Sequence, residues 1–411
     1  MKVSLATEMA PPFVLVAHYF IAGVAFLLLS GFSLAFVSEA TQGYFISTAL
    51  ASFSHLYLLG FVLMVIFGAL YQLLPVVLEA PIFSKDFAYI QFYMYVLGVS
   101  MMVSGFTWTA LHLLIPYGAV LTYVSMLIFC VNVFLTFYRL ERFGLVAKFL
   151  WVATFFLCVS ISIGLVVGLH LGHGLFDINS DAWVRAHMLG TLGGFVMMVI
   201  MGIAMVLLPM FSLAHGYSQQ WIHSALYIHT LGVLGAMLCM LMGYDRFLLV
   251  PLGLLMLSCS LFVIQMLSIL KHRVRKQNDY WVKNILFALL CFTSSLVAVW
   301  FDVLLGGILF FLGFLLPLIV GHIYKILPFL IWYEKFSPYV GKQKVPLLHQ
   351  MIHTKIADIQ TLILFGAVGT IALAHTIASQ ALFYLGCASL LMSIVLVVYN
   401  VFYTFNYTLK D

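Results

Sequence analysis

The chain has 411 residues, 64% of them hydrophobic and 8% charged, with 18 Lys and Arg against 13 Asp and Glu for a formal charge of +5. Soluble globular proteins carry about 25% charged residues, so that class is excluded, and twelve spans of about 20 to 25 residues each leave no length for a separate soluble domain. The apolar runs exceed the ~10-residue alternating segments of outer-membrane barrels; lipid then leaves the helix to satisfy the backbone, which predicts an all-α polytopic membrane protein in one membrane domain, residues 1–411.

In chain order, polar punctuation predicts spans near 11–37, 45–79, 87–112, 117–138, 147–171, 183–213, 219–242, 247–270, 281–301, 304–333, 357–377 and 379–405. Lys2, Glu8 and Pro11-Pro12 precede a first span longer than a signal-peptide core, so an uncleaved start is expected. Basic clusters follow even-numbered spans: Arg139, Arg142 and Lys148; Lys271, Arg273, Arg275 and Lys276; Lys335, Lys342, Lys344 and Lys355. The other loops carry Glu39, Asp177, Asp181, Asp245 and Asp302 with Arg185 and Arg246. By the positive-inside rule both termini are cytoplasmic, in a multi-pass protein of the inner membrane, and the charge reports topology rather than a nucleic-acid partner. The cysteines, Cys130, Cys158, Cys239, Cys259, Cys291 and Cys387, lie in apolar stretches without a C-x-x-C and read as small core residues.

Spans 2, 6 and 10 end in related strings, Gly68-ALYQLL-Pro75, Gly202-IAMVLL-Pro209 and Gly321-HIYKIL-Pro328. The first two are offset by 134 residues and the third follows by 119, so a four-helix repeat occurs three times, near 11–138, 147–270 and 281–405. The predicted architecture is a bundle of twelve helices in three pseudo-symmetric repeats.

Fourteen histidines stand against thirteen acids, an unusual balance for so apolar a chain. Imidazole can be buried neutral and is a common metal and haem ligand. His215, His272, His349 and His353 fall in or beside loops on the basic side. His55 and His187 precede Pro75 and Pro209 by 20 and 22 residues, nearly one height in two related helices, and His112, His170, His173 and His375 lie near the same outer boundary. His18, His229 and His322 form a deeper layer, with His223 below them. The alternative for each is a core histidine bonded to a neighbouring carbonyl or hydroxyl. Two imidazoles from separate helices suit a bis-histidine haem or part of a copper site. The primary candidates for cofactor or metal binding are His55, His187, His229 and His322, with His18, His170, His173 and His375 as secondary ones. The methionine run at Met197, Met198, Met201, Met205 and Met210 reads as packing. Lys325, one turn after His322, can snorkel to the interface or serve a proton path, and Asp358 and Glu334 read as interfacial.

His55-LYLL-Gly60-Phe61, followed by Gly68 and Pro75, resembles helix 2 of the haem-copper oxidase subunit I superfamily and is more similar still to the NnrS family of nitric-oxide-response membrane proteins. His187-MLGTLGG followed by Leu213-Ala-His215-Gly is similar to the corresponding NnrS segment. The resemblance covers the whole chain in architecture and two helices in motif. The superfamily's His-x-His on helix 10 is absent, with Ile308 at the equivalent position; adjacent helix 7 histidines are replaced by His223 and His229; and no His-Pro-Glu-Val-like string occurs on helix 6. The resemblance therefore implies a non-respiratory relative that binds haem b, with copper as a second candidate, through His55, His187 and other intramembrane histidines. It argues against oxygen or nitric oxide reduction by this chain alone.

Three functions follow as expectations. The first is haem binding in electron transfer or in a nitric-oxide or gas response, with a cytochrome or other membrane subunit as partner. The second is a multi-pass transporter or haem or metal permease using an intramembrane histidine relay. The third is a cofactor-free scaffold for an oxidase complex.

Overall fold

A computed structural model of the chain describes residues 11–37 and 47–408, in which every regular element is helical. Twelve helices are long and apolar enough to cross a membrane: α1 (Phe13–Val37), α2 (Thr48–Leu78), α3 (Lys85–Thr107), α4 (Leu114–Tyr138), α5 (Leu145–His173), α6 (Ser180–Ser212), α7 (Gln220–Leu241), α8 (Asp245–Lys271), α9 (Tyr280–Ala298), α10 (Val303–Lys335), α11 (Thr354–Thr376) and α12 (Gln380–Phe405). The protein is an all-α polytopic membrane protein. Lys2, Glu8 and Glu39 lie outside the described residues.

Helix ends follow local chemistry more closely than hydropathy. Asn179 accepts a hydrogen bond from Ala182 N, so α6 begins before the apolar run does, with Asp181 in its first turn. Ser47, Ser84, Asp279 and Asp302 cap α2, α3, α9 and α10 in the same way. Conversely α3 stops at Thr107, because Trp108 turns extended and a short 3-10 turn leads into α4.

The helices form two compact units. One comprises Met1–Val16 and Phe67–Lys276, which holds α3 to α8 and the second half of α2. Within it α3 and α4 touch along glycines: a Cβ on Gly98 would lie 2.5 Å from Thr122 Oγ1, and one on Gly118 would lie 2.6 Å from Met102 N. Lipid supplies little hydrophobic force between helices, so such backbone approach is a main source of their association. Phe67, Phe129 and Phe195 fill the interior, with Phe67 and Phe129 centroids 4.6 Å apart. The other unit comprises Ala17–Ile66 and Gln277–Asp411, which holds most of α1, the first half of α2, and α9 to α12. Its interior stacks Phe292 on Phe314 at 4.4 Å and Phe287 on Phe365 at 3.8 Å.

Helices α2, α6 and α10 each contain a π-helical segment, at Leu56–Leu63, Gly190–Val196 and Leu309–Leu315. Their starts are separated by 134 and 119 residues, the offsets of the Gly-x6-Pro strings. A π turn is rare, occurs frequently at functional sites, and disturbs the ordinary i to i−4 ladder. Here side chains from other helices bond carbonyls of two of these segments: Tyr57 Oη donates to Phe311 O at 2.7 Å, and His229 Nε2 donates to Gly193 O at 2.8 Å.

Candidate functional site

Three of the four primary histidines are held alike. His55 Nδ1 donates to Ala51 O at 2.7 Å, His322 Nδ1 to Leu318 O at 2.7 Å, and His187 Nδ1 to Ser160 O at 2.9 Å. A carbonyl can only accept, so the proton sits on Nδ1 and the lone pair of each neutral ring is on Nε2. Second-shell bonds of this kind orient ligating histidines. All three rings are half-buried. His55 immediately precedes the α2 π segment, and His187 lies three residues before that of α6.

The His187 site is built from α5 and α6. Ser160 O receives the ring proton while Ser160 Oγ donates to His187 O at 2.9 Å and lies 2.5 Å from Thr191 Oγ1. The imidazole rests against Gly164, where a Cβ would come within 2.6 Å of His187 Cε1 and 3.3 Å of Nε2. The cradle is shaped for the ring and for no side chain on α5.

His229 differs. It is buried, at 1% exposure, with Nε2 on Gly193 O and Nδ1 2.8 Å from Ser258 Oγ. Since Gly193 O only accepts, Nε2 carries the proton and Nδ1 accepts from the serine. Both nitrogens are occupied within the protein, so this ring offers no lone pair to a metal.

The structure also separates the candidates. In the second unit the Tyr57–Phe311 bond sets α2 against α10, and His322 lies eleven residues beyond Phe311, about 16 Å deeper at 1.5 Å per residue. His55 and His322 therefore cannot ligate one iron. His18 is half-buried in α1; His173 is exposed at the edge of Tyr117; and His170 Nδ1 donates to Phe176 O at 2.7 Å. His375 Nε2 bonds Asp302 Oδ2 at 2.7 Å. His112 and His223 are exposed, and His353 serves as the cap of α11. Among the described residues no three His, Cys, Asp or Glu side chains group to hold a metal ion.

No protein-family model matches the sequence, and no curated protein matches it. The resemblance to NnrS and the haem-copper oxidases rests on the motifs alone.

A buried polar scaffold escaped the sequence reading. In the first repeat Tyr71 donates to Gln91 Oε1, Ser125 to Gln91 O, and Asn132 exchanges two bonds with the backbone of Ser84 at 2.9 Å each. In the third, Tyr324 donates to Gln360 Oε1, Ser393 to Gln360 O, and Asn400 Oδ1 accepts from His353 N at 3.0 Å. The same residue types, Tyr, Gln, Ser and Asn, recur in the same order. In the second repeat Gln265 Nε2 donates to Ser218 O at 2.8 Å. The position of Gln91 and Gln360, seven residues after Ser84 and His353, is Ala225 there, and Ser258 is met instead by His229, one turn further along α7. His229 thus makes a structural bond beside the scaffold serine from a different position.

Among the described residues one cluster has no counterpart in the other repeats. Lys325 Nζ and Asp279 Oδ2 are 2.8 Å apart, with side chains 15% and 13% exposed, against 38% and 41% for the neighbouring Lys283–Asp358 pair. Asp279 also caps α9 through Val282 N. Lys325 Nζ lies 5.2 Å from the Tyr280 ring centroid and 5.8 Å from that of Trp281, whose ring meets His322 edge-on at 6.1 Å.

Proposed function

We propose that the protein binds haem b through its outer-layer histidines and works in electron transfer or in a response to nitric oxide or another gas, rather than in oxygen reduction. The supporting observation is the tautomer of His55 and His187: each ring gives its Nδ1 proton to a backbone carbonyl and keeps the Nε2 lone pair, the state an axial ligand needs. His55 belongs to one of the two compact units and His187 to the other. Haem, when bound, would supply one-electron chemistry and a place for a diatomic gas to bind. The chain's part is to fix the imidazoles: the α5 carbonyl and Gly164 hold the His187 ring on both sides, and Ala51 O holds that of His55. His229 is outside the ligand set because its nitrogens are spent, and His322 because of its depth. In this reading the protein lies in the inner membrane with both termini cytoplasmic, and a cytochrome or other membrane subunit exchanges electrons with it.

Purification from haem-supplied cells tests the reading. A Soret band is expected, lost or shifted in His55→Ala and His187→Ala and kept in His229→Gln. A colourless wild-type preparation sinks it.

A second reading, a proton-coupled transporter, draws on the half-buried Lys325–Asp279 pair, since charges within membrane spans commonly mark ion and proton pathways. Solute uptake into proteoliposomes that follows a pH gradient and fails in Lys325→Met would favour it.

A further inference from the structure

The three repeats act as internal controls on one another. The Tyr–Gln–Ser–Asn set that the first and third repeats share is scaffold, whereas polar groups present in only one repeat need another reason. At the positions of His322 and Lys325 the first repeat has Ala69 and Gln72, and the second has Ile203 and Val206. Where Asp279 caps α9, Gly144 occupies the equivalent cap of α5. The repeat glycine Gly202 is covered by Phe149, with a Cβ there 2.7 Å from Phe149 Cβ; Gly321 is covered instead by Asn284 and Trp281. Four polar side chains therefore replace apolar or uncharged ones in a single repeat, on two facing helices.

Asn284 adds an independent sign. It is fully buried, and its Nδ2 donates to both Tyr280 O and Thr361 Oγ1 at 2.8 Å, while its Oδ1 has no hydrogen-bond partner in the protein. An orphaned buried acceptor is destabilising, and ordered water is the usual remedy. Asn284 faces Gly321, the residue before His322.

We propose that Asp279, Lys325, Asn284 and His322 form a proton-uptake relay that opens on the basic face and ends at His322. Water at the start of α9 gives a proton to the Asp279 carboxylate, and the ion pair opens. The Lys325 ammonium passes a proton, through a water held on Asn284 Oδ1, to the Nε2 lone pair of His322. The neutral amine then takes the proton from Asp279, so the pair is restored and the net change is one proton moved from bulk water to the imidazole. Among the described residues, the groups facing the relay include the rings of Tyr280 and Trp281 from α9, Tyr324 on α10 and Thr361 on α11, with the Lys283–Asp358 pair between α9 and α11 nearby. The relay does not depend on the haem reading.

Full-length protein in lipid nanodiscs, with isotope-labelled histidine, provides the test. The His322 ring resonance, assigned by its loss in His322→Gln, is expected to move with bulk pH in the wild type. In Lys325→Arg, which keeps the charge and the pairing but cannot release a proton, and in Asn284→Leu, that movement is lost. Asn284→Gln, which keeps an acceptor, retains it, and so does the scaffold variant Ser125→Ala. Unchanged circular dichroism and a single elution peak certify folding of each variant. A wild-type ring that ignores pH, or movement that persists in Lys325→Arg or in Asn284→Leu, overturns the proposal. A missing Soret band sinks the haem reading and leaves this result standing.

Discussion

Gly164 shows how one absent methyl group decides where an imidazole can sit. Its Cβ would lie 2.6 Å from His187 Cε1, so Gly164→Ala must tilt the ring or part α5 from α6. Overpacking of this kind costs about 1–3 kcal/mol. The expected outcome is a lower melting temperature in detergent together with a shifted haem spectrum; Gly253→Ala, which meets nothing within 4 Å, moves neither by the same overpacking route. Ser258→Ala leaves the buried Nδ1 of His229 without a partner and should cost about 1–3 kcal/mol in unfolding free energy, with the spectrum unchanged. At the opposite end of the third repeat, burial pushes the Asp302 carboxyl up, but the Leu305 and Leu304 amides and His375 outweigh it and hold it below the ordinary carboxylate range. A group depressed in the folded state stabilises above its unfolded value and loses that effect as pH falls through the folded one. The melting difference between wild type and Asp302→Asn is therefore expected to be constant near neutral pH and to close only below about pH 4, the ordinary carboxylate value.

At the scale of the helix, the π segments are where residue placement is set. Removing Gly193 should convert the α6 segment to regular helix and turn His187 by about 100° relative to the Pro209 end. It also takes away the carbonyl that receives His229. Loss of folded protein on size-exclusion is expected, whereas deletion of Gln343, in the exposed connection before α11, is tolerated. Such segments were invisible in the sequence because one extra residue in an unbroken apolar run changes neither its length nor its hydropathy. The spans themselves were legible, since lipid demands long apolar stretches. Their ends were less so: Asn179 and Ser84 start helices by capping, which hydropathy does not register. The scaffold was present in the sequence yet hidden by loop length. Tyr71 and Tyr324 differ by 253, but the longer connection at 336–353 moves Gln91 and Gln360 to 269, so a search at fixed offset passes over them. His229 stood out as a buried histidine, and only the bonds to Gly193 and Ser258 reveal its role as structural.

For the molecule as a whole, the basic clusters after α4, α8 and α10 are the basis for the proposed orientation, with the termini cytoplasmic. Single cysteines placed at Lys276 and Lys342 in a cysteine-free background should be shielded from a membrane-impermeant maleimide in intact cells, and one at Asp177 should be labelled. The reverse pattern would invert the topology and carry the opening of the relay to the other side.

The amide clamps bear on how such a chain is made. Asn132, Gln265 and Asn400 each reach back 47 or 48 residues to the chain entering the preceding helix. During synthesis that earlier helix emerges first, and its starting turn waits for an amide the ribosome has not yet delivered. Each latch closes only when the following helix has been threaded almost to its end, so helices three and four of every repeat settle as a hairpin with a built-in register check. A chain cut short before Asn400 would present α11 to quality-control proteases with its entry unfastened.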